Sequence, residues 1–201
     1  MSLRDELDRS PDLPPAWRIM LPAGWVERAP DAETEHELTA ATAARMRAAH
    51  RPDLNAQLRR LTREAFDRMR SQDTIAFYHQ VAAVEGQIMP ISIIASRLAS
   101  PMGGPLDDQV ADLIRNHGAE PFDDARTMIR WSTSSTMESG GERIGLRAIG
   151  YLTPVPRTHR RAALQFTAAI THPVGLADDD PSLIKLEFVC DAIMGTFGWA
   201  Q

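Results

Sequence analysis

The chain has 201 residues, 43% of them hydrophobic and 24% charged, with 14 Pro, 12 Gly, one Cys and a formal net charge of −5. That length suits one folding unit of about 100 to 200 residues, and the composition excludes disorder, a collagen-like repeat and a disulfide framework. No apolar run reaches the roughly 18 residues of a membrane helix, and the acidic balance is not that of a nucleic-acid binder.

The start, Met1-Ser-Leu-Arg-Asp-Glu-Leu-Asp8, lacks the basic and apolar stretches of a signal peptide, so the chain reads as cytoplasmic. Cys190 has no second Cys to pair with, which agrees with a reducing compartment. Residues 1–16 mix charges with Pro11, Pro14 and Pro15 and read as a flexible arm; residues 17–201 read as a single domain.

Trp17 to Leu21 forms a short apolar strand, and the turn Pro22-Ala-Gly24 sets Trp25 on the next stretch. From Asp31 to His50 the acids come first and the arginines last, the order that a helix dipole favours. Pro52 ends that helix and Asp53 caps a second, running to about Arg70. Its Leu54, Leu58, Leu61, Ala65 and Met69 fall on one stripe that burial must cover. From Thr74 to Arg97 the period changes to two. Ile75, Phe77, His79, Val81 and Ala83 alternate, Glu85-Gly86 turns the chain, and Gln87 to Ser96 returns as a strand near the sheet centre, weakened at Pro90.

Leu106, Val110, Leu113, Ile114 and His117 mark a third helix, closed at Gly118. Three strands follow, Thr127–Ser135, Arg143–Tyr151 and Arg161–Thr171, joined by Ser139-Gly-Gly-Glu142 and by residues 154–160 into an antiparallel meander. Asp180-Pro181 opens the last helix, whose buried stripe is Leu183, Leu186, Cys190, Ile193, Met194 and Phe197, widened by Ile184 and Phe188. The order predicts an α+β fold: an antiparallel sheet of five or six strands covered by four helices.

Little in the sequence points to catalysis. The six histidines stand singly, with no HExxH or CxxC, so no metal site and no cofactor are expected. Asp178-Asp-Asp180 sits where a helix cap belongs. No GxSxG presents a nucleophile, and Cys190 falls on an apolar helix face. The Gly-rich loop Ser100–Pro105 has no Lys or Arg, and Asp107 and Asp108 after it repel phosphate. Trp131 alternates with Ile129 and is expected inside.

Two basic features remain. Eight arginines between Arg45 and Arg70 face only Asp53, Glu64 and Asp67, so Arg59 and Arg63 are candidates for an acidic partner. The alternative is a solvated face with its own pairs, Arg60–Glu64, Glu64–Arg68 and Arg63–Asp67. The hairpin tip Arg157-Thr-His159-Arg160-Arg161 offers the second basic cluster.

The opening Trp17-Arg-Ile-Met-Leu-Pro-Ala-Gly-Trp25, the strand Leu164-Gln-Phe-Thr167 and the ending Met194-Gly-Thr-Phe-Gly-Trp199 resemble the Mog1/PsbP-like architecture over residues 17 to 199. The helical stretch from 31 to 70 and the missing secretion signal depart from many of its members. The chain is also similar to proteins of actinobacterial type. The resemblance implies a binding or accessory role and carries over no catalytic residue. The leading expectation is therefore a non-catalytic protein that binds an unidentified, acidic protein partner through Arg157, His159, Arg160 and Arg161 or through Arg59 and Arg63. The alternative is a small-molecule binder or enzyme with a pocket between sheet and helices, using Tyr78, His79 and Glu85. A homodimer paired through a sheet edge is a third arrangement.

Overall fold

The computed structural model describes residues 14–48, 50, 52–82, 88–100, 103–139 and 142–200. In chain order the elements are β1 (Trp17–Arg18), β2 (Trp25–Arg28), α1 (Ala32–Ala48), α2 (Pro52–Ser71), β3 (Thr74–Gln80), β4 (Ile91–Ala99), α3 (Asp107–His117), β5 (Glu120–Pro121), β6 (Ile129–Ser139), β7 (Glu142–Pro154), β8 (Ala162–Pro173), α4 (Pro181–Met194) and β9 (Gly198–Trp199). The fold is α+β.

The main sheet is antiparallel throughout, in the order β2-β3-β4-β8-β7-β6-β5, and β1 pairs separately with β9. Among the described residues it holds seven strands, more than the five or six expected. The edge strands β2 and β5 span four and two residues, too short for alternation to reveal them. Both hairpins and the meander form as the sequence indicates, but β4 starts only after Pro90. The Glu85-Gly86 turn lies outside the described residues.

Strand alternation divides the side chains between two faces. Ile93 and Ala95 of β4, Ile149 and Tyr151 of β7, and Leu164, Phe166, Ala168 and Ile170 of β8 pack with Leu183, Cys190, Ile193 and Met194 of α4 as the main core. Asp180 caps α4 by accepting from Ser182 N–H at 2.8 Å, with Pro181 in the first turn. Burying four to six such side chains, at about 1.5 to 3 kcal/mol each, is what fixes α4 on the sheet.

The opposite face carries two separate covers. On one side Phe66 of α2 packs edge-on against Phe77 of β3 at 5.8 Å. On the other, Leu106 before α3 joins Leu152 and Ala163 in a smaller cluster, with Val110, Leu113 and Ile129 against it. Gly118 ends α3 in the left-handed region at φ 65, its N–H bonded to Leu113 O. Trp131 lies on this second face and is half-buried. Its ring occupies the space beside Gly150, where a Cβ would come within 2.2 Å of it.

Three expectations are corrected by packing. Ile184 and Phe188 do not widen the buried stripe of α4: they are 53% and 71% exposed. On α2 the buried contact is Phe66, while Ala65 is exposed and Leu54, Leu58, Leu61 and Met69 are half-covered. Pro52 does not merely end α1 but is the first residue of α2, a position where its missing N–H costs nothing.

Candidate functional site

The hairpin tip between β7 and β8 is docked. Leu106 N–H donates to Arg160 O at 2.8 Å and Ser100 N–H donates to Arg161 O at 3.1 Å. Arg160 reaches Asp107 at 3.0 Å. The other side chains of the tip, Arg157, His159 and Arg161, are exposed, and none has a side-chain partner among the described residues.

Arg59 and Arg63 stand one turn apart on the solvent side of α2. The pair Arg63–Asp67 does not form. Arg70 takes both nearby carboxylates instead, Asp67 at 2.7 Å and Glu35 at 2.9 Å, and its guanidinium carbon lies 5.9 Å from the centre of the Phe66 ring. Those two hydrogen bonds push the Arg70 pKa above its ordinary value. Glu64 pairs with Arg60 at 3.7 Å. Arg59 and Arg63 are thus left without a carboxylate among the described residues, and with Ala32, Glu35, His36 and Thr39 they line an open pocket of about 490 Å³ between α1 and α2.

The Tyr78–His79 pair does not converge. As neighbours on β3 they point to opposite faces. Tyr78 is buried in the main core, its hydroxyl accepting from Trp17 Nε1 at 3.1 Å, and burial raises its pKa. His79 stacks on Phe77 on the other face. Glu85 lies outside the described residues.

One polar constellation was not legible in the sequence. Under α4, Arg130 donates to Asp191 at 2.8 Å and to Glu187 at 2.9 Å, and Tyr151 OH donates to the same Asp191 oxygen at 2.6 Å. Arg147 pairs with Glu187 at 3.1 Å and Asp178 at 3.0 Å, and Ser134 donates to Asp178 at 2.7 Å. The Arg147 Nε contact with Glu187 is close enough for an ion pair but lacks hydrogen-bond alignment.

Burial, followed by the bond to Asp191, raises the Tyr151 pKa. Burial alone would lower that of Arg130, but the bonds to Asp191 and Glu187 and the charge of Asp191 together outweigh it and the pKa rises. Each acid here is already engaged by an arginine, so the network fastens α4 and the 174–180 loop to the sheet rather than offering a free base. Cys190 beside it is pushed up to about 12, by burial first and then by Asp191 and Glu187, and so stays a thiol at neutral pH. Among the described residues no group of three or more His, Cys, Asp or Glu converges as a metal site, and no helix is long and apolar enough to cross a membrane.

A half-open cavity of about 240 Å³ lies between the start of α3 and the ends of β6, β7 and β8, lined mostly by apolar side chains.

No family model and no curated protein matches this chain. Among solved structures, a point mutant of protein Mog1 is similar at 12% identity and a TM-score of 0.37, covering 62% of this chain and 78% of that one. That is a weak likeness of fold, in the architecture the sequence resembles.

Proposed function

We propose that the protein is a non-catalytic accessory protein that binds an acidic protein partner through α2 and the α1–α2 pocket. The observation that carries this reading is the placement of Arg59 and Arg63. Arg70 holds both Asp67 and Glu35, so two adjacent cations face solvent uncompensated on a chain whose net charge is negative. Arg suits this task because its planar fork takes a carboxylate through two parallel bonds. Charges placed this way speed encounter and fix the docking geometry more than they add raw affinity. Arg157, His159 and Arg161 supply a second, smaller basic patch, whereas Arg160 is committed to Asp107.

The test is capture from the native cell lysate with tagged wild type and with an Arg59→Glu, Arg63→Glu double variant, at low and high salt. The expected result is an acidic protein held by wild type, released by salt and lost in the double variant, whose melting temperature stays unchanged. Retention of that partner by the folded double variant would remove α2 as the surface. No acidic partner under any condition would remove the reading itself.

A further inference from the structure

The cavity beside α3 is of a different kind from the basic surfaces. Its walls come from Leu106, Val110, Met128, Ile129, Leu152 and Ala163. Arg126, Arg160 and Asp107 also line it. The walls are preformed. Thr153 Oγ1 donates to Thr127 O at 3.0 Å, and Phe122 N–H donates to Met128 O at 2.8 Å. The Asp123 carboxylate accepts from Thr127 N–H at 2.7 Å and from its hydroxyl, and these bonds hold its pKa below the ordinary value although burial opposes them. With Leu106 N–H bonded to Arg160 O, every strand of the lining is tied to a neighbour.

Size and charge together define what fits. An apolar cavity of about 150 Å³ accepts benzene, and drug-sized ligands need about 300 Å³ or more. A space of about 240 Å³ therefore suits one ring or a chain of six to eight carbons. Two arginines and one aspartate leave a net charge of +1 around it. Asp107 is taken by Arg160 at 3.0 Å, whereas Arg126 has no side-chain partner among the described residues. Asp107 and Asp108 in the first turn of α3 oppose a doubly charged phosphate.

We propose that this cavity binds a small monocarboxylic acid, its apolar body between α3 and the β7–β8 strands and its carboxylate on Arg126. The site shares no residue with the α2 surface, so it stands or falls independently of partner binding.

The test is isothermal titration of the full chain with benzoate, 3-phenylpropanoate, hexanoate and octanoate, each beside its uncharged amide. At least one acid should bind with a Kd of about 1 mM or tighter, as roughly ten heavy atoms allow, and at least tenfold tighter than its amide. Arg126→Ala should erase that preference while leaving the amide unchanged. Val110→Phe should fill the cavity and abolish both. Methyl chemical shifts of Leu106, Val110, Met128 and Leu152 should respond to the bound acid in wild type, which locates the site even if Val110→Phe does not fold. Equal binding of acid and amide, an intact preference in Arg126→Ala, shifts elsewhere, or no saturable binding by any acid would each overturn the proposal.

Discussion

The imidazole of His79 stacks on Phe77 at 5.3 Å, its Nδ1 lies 3.3 Å from Gln80 O, and its Nε2 is buried without a partner among the described residues. Burial lowers its pKa from the ordinary 6.5; the Gln80 carbonyl opposes that shift and the Arg28 charge adds to it. Between the lowered folded value and 6.5 the unfolded chain binds more protons than the folded one, so stability rises with pH across that window. The contribution is complete above about 6.5 and shrinks as pH falls below it. Urea unfolding at pH 7.5, 6.5 and 5.5 should show wild type losing more stability on acidification than His79→Leu. Parallel pH profiles for the two proteins would refute this role. Some of the site was legible at this scale. Alternation on a strand separates Tyr78 from His79, against the expectation that both serve one pocket, whereas Asp180 is recognised as a cap from its place before Pro181. The Arg130 network could not be recognised, because its acids Glu187 and Asp191 lie 57 and 61 residues away, and only the fold decides which charges meet. The cavity went unseen for the same reason, its lining being drawn from the α3 start, the 126–129 segment and the ends of β7 and β8.

For whole elements, apolar spacing finds a helix more reliably than it finds the face that is covered. The α2 stripe runs from Leu54 to Met69, yet the buried anchor is Phe66, off that stripe and against Phe77. In α4, nine of the fourteen residues are apolar and they occur on every side of the helix, so the period cannot distinguish Leu183, facing the sheet, from Ile184, facing solvent. The contact of buried Phe66 with Phe77 is an apolar link between the α1–α2 hairpin and the sheet. Phe66→Ala should therefore cost about 3 to 5 kcal/mol if the cavity does not collapse. Amide hydrogen exchange should show where that loss falls: α1 and α2 lose protection while β4, β7 and β8 keep theirs. Equal loss across helices and sheet would mean the hairpin is not a separable layer. A folded but loosened hairpin would also weaken capture of the acidic partner, because Arg59 and Arg63 depend on α2 for their spacing.

At the scale of the molecule, the N-terminal strands β2, β3 and β4 join the later strands through one ladder, β4 against β8, which runs from Ile91↔Ile170 to Ala99↔Ala162. β8 reaches this seam at the end of the β5-β6-β7-β8 run, which starts at the far edge of the sheet. A second tie closes the molecule from the other direction. Ala200 N–H donates to Ala16 O at 2.7 Å, Met20 N–H donates to Thr196 Oγ1 at 2.8 Å, and Phe197 packs edge-on to Phe166 at 5.4 Å. Trp17 extends that tie to β3 through Tyr78. With the two halves joined both at the seam and at the termini, neither can bury its core face alone, so unfolding should be a single cooperative event. Tryptophan fluorescence reports from Trp17, Trp25, Trp131 and Trp199, on β1, β2, β6 and β9, and far-UV circular dichroism reports from the whole backbone. The two signals should trace coincident urea transitions. Truncation after Met194 should move both to lower urea together, because it removes Phe197 and the β9 partner of Trp17. Transitions that separate by probe would mean that the β4–β8 seam opens while one half stays folded, and the termini would then be a local closure rather than part of the cooperative core.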